Sequence, residues 1–267
     1  MASVSSSKFL SYLIKFAGVF LASLMAMKIS GMLVIPPGQA SIIWPAAGIA
    51  VGAILTGGRW LILPVFLAAF IKSLWYYDEI GTNELLTAAS IATGASLQAY
   101  VAVMLIQKCI KSFNLFEDVR ETSLFLILAG PLACSVNATI ATSALIIIGV
   151  ISSDQFLAHA ATWWLGDIFG VVLFAPLTVL IMSTKKGRRQ LSLRRKMLVG
   201  LPLILSFIVF VLLFCYVVET LKDRSLREYE SEVSKITRSF RQELSIDLTS
   251  TIAISSFITS SEYVSAE

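Results

Sequence analysis

Asp167 is the one acidic residue set inside a long apolar run of this chain. It lies in the string Trp163-Trp164-Leu165-Gly166-Asp167, about seven residues into the stretch Ala161–Met182. At 1.5 Å per residue that is roughly 10 Å along a helix. A carboxylate in such surroundings is costly and normally faces a bundle interior or a watered cavity. Two chemistries suit it. One is a ligand or signal-coupling contact; the other is an internal hydrogen bond, or an ion pair with Lys28 or Lys72 near the same end. Trp44, Trp163 and Trp164 fall at the same level. Their apolar rings and polar N–H groups suit interfacial anchoring, and they equally suit a platform for a ligand beside Asp167. Gln98, Asn137, Thr139 and Thr142 are polar residues deeper in apolar runs, where hydrogen bonds between helices account for them.

Other chemistries are excluded by what is scarce. The chain has one His, His159, and three Cys, Cys109, Cys134 and Cys215, far apart and without a CxxC pair. A metal site built from such ligands is not expected. The cysteines read as small buried hydrophobes, and His159 as a solvated residue of an outer loop. No GxxxxGK[ST] loop, no GxGxxG after a strand and no GxSxG occurs. No catalytic constellation and no cofactor is expected, and so no enzyme within these residues.

The elements that must position Asp167 and the tryptophans are membrane helices. Apolar residues make up 57% of the 267 and charged residues only 14%, with a mean hydropathy of +0.82; soluble domains are about a quarter charged. A bilayer core needs about 20 mostly apolar residues in a helix. Seven stretches are found: Phe9–Val34, Ile42–Leu55 (a little short), Trp60–Tyr76, Leu85–Ile106, Thr122–Ile151 (interrupted by Gly130-Pro131), Ala161–Met182 and Met197–Val218. The first outlasts a signal-peptide core and lacks a clean cleavage site, so it reads as an uncleaved anchor. Lys8, Arg59, Lys108, Lys111, Arg120 and the run Lys185–Lys196 all fall in alternate connections. The intervening ones, Ile35–Ser41, Tyr77–Glu84 and Ser152–Ala160, hold no Lys or Arg. The positive-inside rule then makes the N-terminus cytoplasmic and everything after about residue 218 extracytoplasmic. The basic residues read as topology determinants with a second role on anionic lipid heads, not as a nucleic-acid surface. The expected fold is all-α: a polytopic helical bundle of about seven transmembrane helices with a helical extracytoplasmic stalk.

Small residues recur at helix-packing spacing in Gly48-x-x-x-Gly52, Ser90-x-x-x-Gly94 and Gly166-x-x-x-Gly170. In lipid such residues let backbones approach closely, here within the bundle more readily than between chains. After Glu219 the chain becomes charged, and Leu226, Tyr229, Val233, Ile236 and Phe240 recur at spacings of three and four. That a/d pattern over about two heptads reads as a stalk pairing with a second chain, or as a face packing on a following domain.

Four strings in order resemble the type-one MASE family of bacterial membrane-associated sensor domains. They are Trp44-Pro45-Ala46-Ala47-Gly48-Ile49-Ala50, the Gly57-Gly58-Arg59-Trp60 turn, Pro64–Phe70, and Trp163–Asp167 with Gly170 and Phe174-Ala175-Pro176. Residues 221–267 look like the start of a CHASE extracytoplasmic sensor domain. The resemblance implies three parts: residues 1–196 as a membrane sensor, 197–218 as a seventh helix, and 219–267 as the beginning of a truncated extracytoplasmic domain. It also implies a receptor of the bacterial inner membrane, a small-molecule or protein signal, and a cytoplasmic histidine kinase or cyclic-di-GMP enzyme as output. None of the corresponding output motifs occurs in these residues. A small secondary transporter, with Pro45, Pro131 and Pro176 breaking spans and Asp167 binding a coupling ion, and a scaffold recruiting a partner through its helices are the rival readings.

Overall fold

The computed structural model describes residues 2–32, 41, 43–75, 77–110 and 118–182. Beyond these it describes 197, 200–202, 204–209, 212, 216, 233–235, 237, 238, 240–242 and 248–258. Among the described residues the regular structure is helical, and there is no strand. Helices α1 (Ala2–Met32), α2 (Pro45–Gly57), α3 (Ile62–Leu74), α4 (Thr82–Cys109), α5 (Val119–Ile127), α6 (Ala133–Ile147) and α7 (Phe156–Met182) follow in order.

Four helices are long and apolar enough to cross a bilayer: Phe9–Gly31, Thr82–Cys109, Val119–Ile147 and Ser153–Met182. The second and third apolar stretches form helices of only 13 residues each. At 1.5 Å per residue each is about 20 Å long, against a hydrocarbon core of about 30 Å. The chain sets both limits of α2. Pro45 occupies its first turn, where a missing N–H costs nothing. Gly58, at φ 106°, ends it in a conformation that disfavours any side chain. Of the seventh stretch, Gly200–Val209 is an apolar helix, and the rest falls largely outside the described residues.

Three local expectations are corrected. Gly130-Pro131 does not interrupt the fifth stretch. A π-turn at Leu128–Leu132 joins α5 to α6, widening the helix so that the proline ring is accommodated. The helix that carries Asp167 starts at Phe156 and not at Ala161, because the turn Ser153–Gln155 leads directly into it. His159 is therefore half-buried on the first turns of α7 and not in a loop. Asp167 stands eleven residues from the start of the helix, about 17 Å along its axis. Finally, Cys134 is buried but Cys109, in the last turn of α4, is exposed; Cys215 lies outside the described residues.

The chain divides into two units, Met1–Phe210 and Val211–Glu267. In the first, α2 is the most enclosed helix, with nine of its 13 residues buried. It runs parallel to α7: Trp44 N–H donates to the Gly166 carbonyl at 3.0 Å, and Gly57 lies beside Met182. Between these ends Gly48 presses on the backbone of Gly170 and Ala175, and Gly52 on Thr178. Helix α4 runs antiparallel to α6, with Gly94 against Asn137 and Gln98 against Cys134. Further along the chain, Phe207 packs edge-on against Phe174 of α7 at 4.9 Å. One end of the bundle gathers the start of α1, the turn after α2 and the end of α4. Tyr12 meets Trp60 edge-on at 5.2 Å, Arg59 donates to Gln107 Oε1 at 3.3 Å, and its guanidinium lies 5.5 Å from the Tyr100 ring centre.

In the second unit the described residues are helical, including Leu248–Ile258. Val233 and Phe240 are helical and exposed. Leu226, Tyr229 and Ile236 lie outside the described residues.

Candidate functional site

Three helices bring polar side chains to one level of an otherwise apolar interior. On α7, Gly166, Asp167 and Gly170 are all buried, and Asp167 is only 3% exposed. Gly170 admits the α2 backbone: a side chain there would run into the Trp44 carbonyl. Asp167 is enclosed beside this contact. Its side chain turns toward α6, where Asn137 Nδ2 donates to Asp167 Oδ2 at 2.8 Å. Gln98 of α4 is a second amide partner of that carboxylate.

The helix periodicity explains the convergence. Gly94 and Gln98 are one turn apart on α4, and Cys134 and Asn137 one turn apart on α6, so each pair shares a face. The absence of a side chain at Gly94 makes room for Asn137, whose Oδ1 would stand 2.5 Å from a Cβ placed there. One turn on, Gln98 Nε2 donates to Cys134 Sγ at 3.3 Å. The thiol in turn donates to the Ala129 carbonyl at 3.5 Å, in the π-turn. Two acceptors of this cluster, Gln98 Oε1 and Asn137 Oδ1, are buried without a hydrogen-bond partner.

The tryptophans divide between two apolar clusters. Trp164 packs on the cluster that includes Val51, Phe125 and Val171, and its indole N–H donates to the Pro131 carbonyl at 2.8 Å. It thus ties α7 to the π-turn that leads into α6. Trp44 packs on the smaller cluster formed by Met27, Ala46, Ala68 and Ala92. Its backbone touches α7 on either side of Asp167, at Gly166 and Gly170. Trp163 is half-buried next to Trp164.

The structure therefore places Trp164 and Asp167 on one helix, with Trp44 backbone against that helix, and joins to Asp167 three residues read in the sequence only as interhelical hydrogen-bonders (Gln98 and Asn137) or as a small buried hydrophobe (Cys134). The signal for two of them is visible in the sequence, since amide side chains deep in apolar runs need partners. Cys134 gives no such signal, because a thiol in an apolar run looks like any small hydrophobe. Chemically the arrangement is a buried carboxylate faced by neutral amides, suited to binding or relaying and without a nucleophile–base pair among these residues. Among the described residues no group of three or more His, Cys, Asp or Glu is placed to hold a metal ion.

A family model for MASE1 matches residues 14–222, well over half of the chain, and its extent takes in the seventh apolar stretch. No curated protein and no solved structure matches the chain.

Proposed function

The chain belongs to the MASE1 family of membrane-associated sensory domains, and from that premise we propose that it perceives a signal through the buried Gln98–Asn137–Asp167 layer and relays it to a cytoplasmic output domain. The observation that carries the reading is the hydrogen bond from Asn137 to Asp167, which joins two long helices inside an apolar bundle. An intramembrane carboxylate is retained at a cost and so points to function. The α2–α7 contact and the indole bond from Trp164 to Pro131 link this layer to its neighbours, so a change at Asp167 has a mechanical route to the ends of α6 and α7. The output is a histidine kinase or a cyclic-di-GMP enzyme.

The proposed setting is the bacterial inner membrane, crossed seven times, with the N-terminus cytoplasmic. Two packing directions support that path. Helices α2 and α7 run parallel, as the second and sixth crossings must, and α4 and α6 run antiparallel, as the fourth and fifth must. Residues 219–267 are the stalk and the beginning of an extracytoplasmic domain of CHASE type, which pairs two chains. The test is Asp167→Asn in the full-length receptor. It keeps shape and polarity, so abundance in the membrane stays within about twofold while signal-dependent output changes about tenfold or more, the scale of a lost charge-assisted bond. Unchanged output from an equally abundant variant refutes a signalling role for Asp167.

A further inference from the structure

We propose that the end of the bundle built around Arg59 is a binding site for an anionic phospholipid, its phosphate held by the Arg59 guanidinium and an acyl chain lying along α4. The site is separate from the Gln98–Asn137–Asp167 layer and does not depend on it.

Arg59 directly follows the Gly57-Gly58 turn, so the end of α2 fixes where its side chain starts. Helix α4 then holds the guanidinium at two points. Nη2 donates to Gln107 Oε1 at 3.3 Å, and the Tyr100 ring centre lies 5.5 Å from Cζ. Tyr100 and Gln107 are seven residues apart, two turns along one helix face. A guanidinium carries five N–H donors. Gln107 takes one, and no acidic side chain among the described residues pairs with Arg59. The charge is therefore oriented but not neutralised. Two further cations stand close in the chain to these contacts. Lys15 is half-buried one turn from Tyr12, whose ring meets Trp60, and Lys108 follows Gln107 and is exposed.

Helix α4 has 28 residues, about 42 Å of helix against a hydrocarbon core of about 30 Å. Its last turn, with Gln107 and Lys108, thus reaches the headgroup level, and the rings of Tyr12, Trp60 and Tyr100 suit that level. Leu97, Tyr100, Met104 and Gln107 recur at spacings of three and four and share one face of α4. Leu97 and Met104 on that face are 38% and 44% exposed. The face is thus apolar toward the middle of the helix and polar beside Arg59, the order of an acyl chain and its phosphate.

Other occupants match only half of this. A soluble acidic partner answers the charge and leaves the apolar stripe unused. A zwitterionic lipid fits the stripe but brings its own cation toward Arg59, Lys15 and Lys108. A lipid with a net negative phosphate answers both, and arginine is the side chain that grips phosphate with two parallel N–H···O bonds.

The experiment uses the full chain, purified in detergent, delipidated, and titrated in mixed micelles with phosphatidylglycerol or with phosphatidylcholine of the same acyl chains. Phosphatidylglycerol should raise Tm saturably, by about 5–10 °C at a hundred times Kd, and phosphatidylcholine should not. Apparent Kd for phosphatidylglycerol should weaken about tenfold in Arg59→Gln, the scale of a lost charged hydrogen bond. It should weaken about threefold in Arg59→Lys, which keeps the charge and loses the fork. Gln107→Leu, at an exposed position, frees the guanidinium and should also cost about threefold through lost preorganisation; it keeps the proposal testable if Arg59→Gln does not fold. Arg120→Gln removes one charge at the same end but outside the site, and should leave Kd within about twofold because an exposed, distant charge is screened. Equal responses to the two lipids overturn the proposal. Equal losses in Arg59→Gln and Arg120→Gln overturn it too, by making the attraction diffuse. Inorganic phosphate at matched concentration should leave Tm unchanged; full stabilisation by phosphate alone overturns the lipid and assigns Arg59 to a soluble anion.

Discussion

Asn137 carries more of the structure than its neutral side chain suggests. It is one of two amide donors to a buried carboxylate, so its removal costs the bond and leaves Asp167 with Gln98 as its remaining amide partner. Asn137→Leu should destabilise the bundle by about 1–3 kcal/mol, read as a fall in Tm in detergent. Asp167→Leu added to it should recover part of the loss, because two apolar groups of matching shape replace a broken pair. A double-mutant cycle with no coupling between positions 137 and 167 would contradict the geometry. Trp164→Phe makes a smaller and separable test. It keeps an aromatic ring but loses the bond to the Pro131 carbonyl and part of the indole packing, and should cost about 1–2 kcal/mol. At this scale the sequence is half legible. The cost of a charge in lipid turns Asp167 inward on general grounds. Its partner is thirty residues away on another helix, and nothing in either local string pairs the two.

At the scale of elements, close packing rests on glycines whose surroundings differ sharply. Gly170 lies against the Trp44 carbonyl, while Gly18 has nothing within 4 Å of a side chain placed there. Gly170→Ala therefore forces α2 off α7, and should lower Tm by several degrees or abolish folding. Gly18→Ala should be neutral or raise Tm slightly, because alanine is the better helix former by about 1 kcal/mol. Equal effects from the two would show that the α2–α7 contact is not what holds these helices together. The close approach was readable from Gly48-x-x-x-Gly52 and Gly166-x-x-x-Gly170, since small residues four apart make a flat face. The shortness of α2 was readable too, since the Gly57-Gly58 turn closes its apolar stretch after Leu55. That of α3 was less so, because apolar residues run on from Trp60 to Tyr76 past both ends of the helix. The π-turn at Pro131 was hidden, because a proline reads as a break whether the helix stops or widens around it.

Across the whole molecule, charge placement and geometry agree at one end of the first unit. The start of α1, the turn bearing Arg59 and the end of α4 converge there. Met182, the last residue of α7 before the basic run Lys185–Lys196, lies beside Gly57. A reporter fused after Lys186 should therefore behave as cytoplasmic, and one fused after Ser231 as extracytoplasmic; the same side for both would make the crossing count wrong by an odd number.

The second unit supplies its own test. Val233 and Phe240 are seven residues apart, helical and exposed, and a two-heptad helix is marginal alone in water. Pairing with a second chain buries that stripe. In a background with Cys109 and Cys215 changed to Ser, cysteine introduced at Val233 should crosslink two chains under mild oxidation in membranes. The same substitution at Lys235, off the a/d stripe, should crosslink far less. If Val233, Ile236 and Phe240 all fail to give a dimer, the stripe faces the rest of its own domain, and the receptor must transmit its signal without a paired stalk.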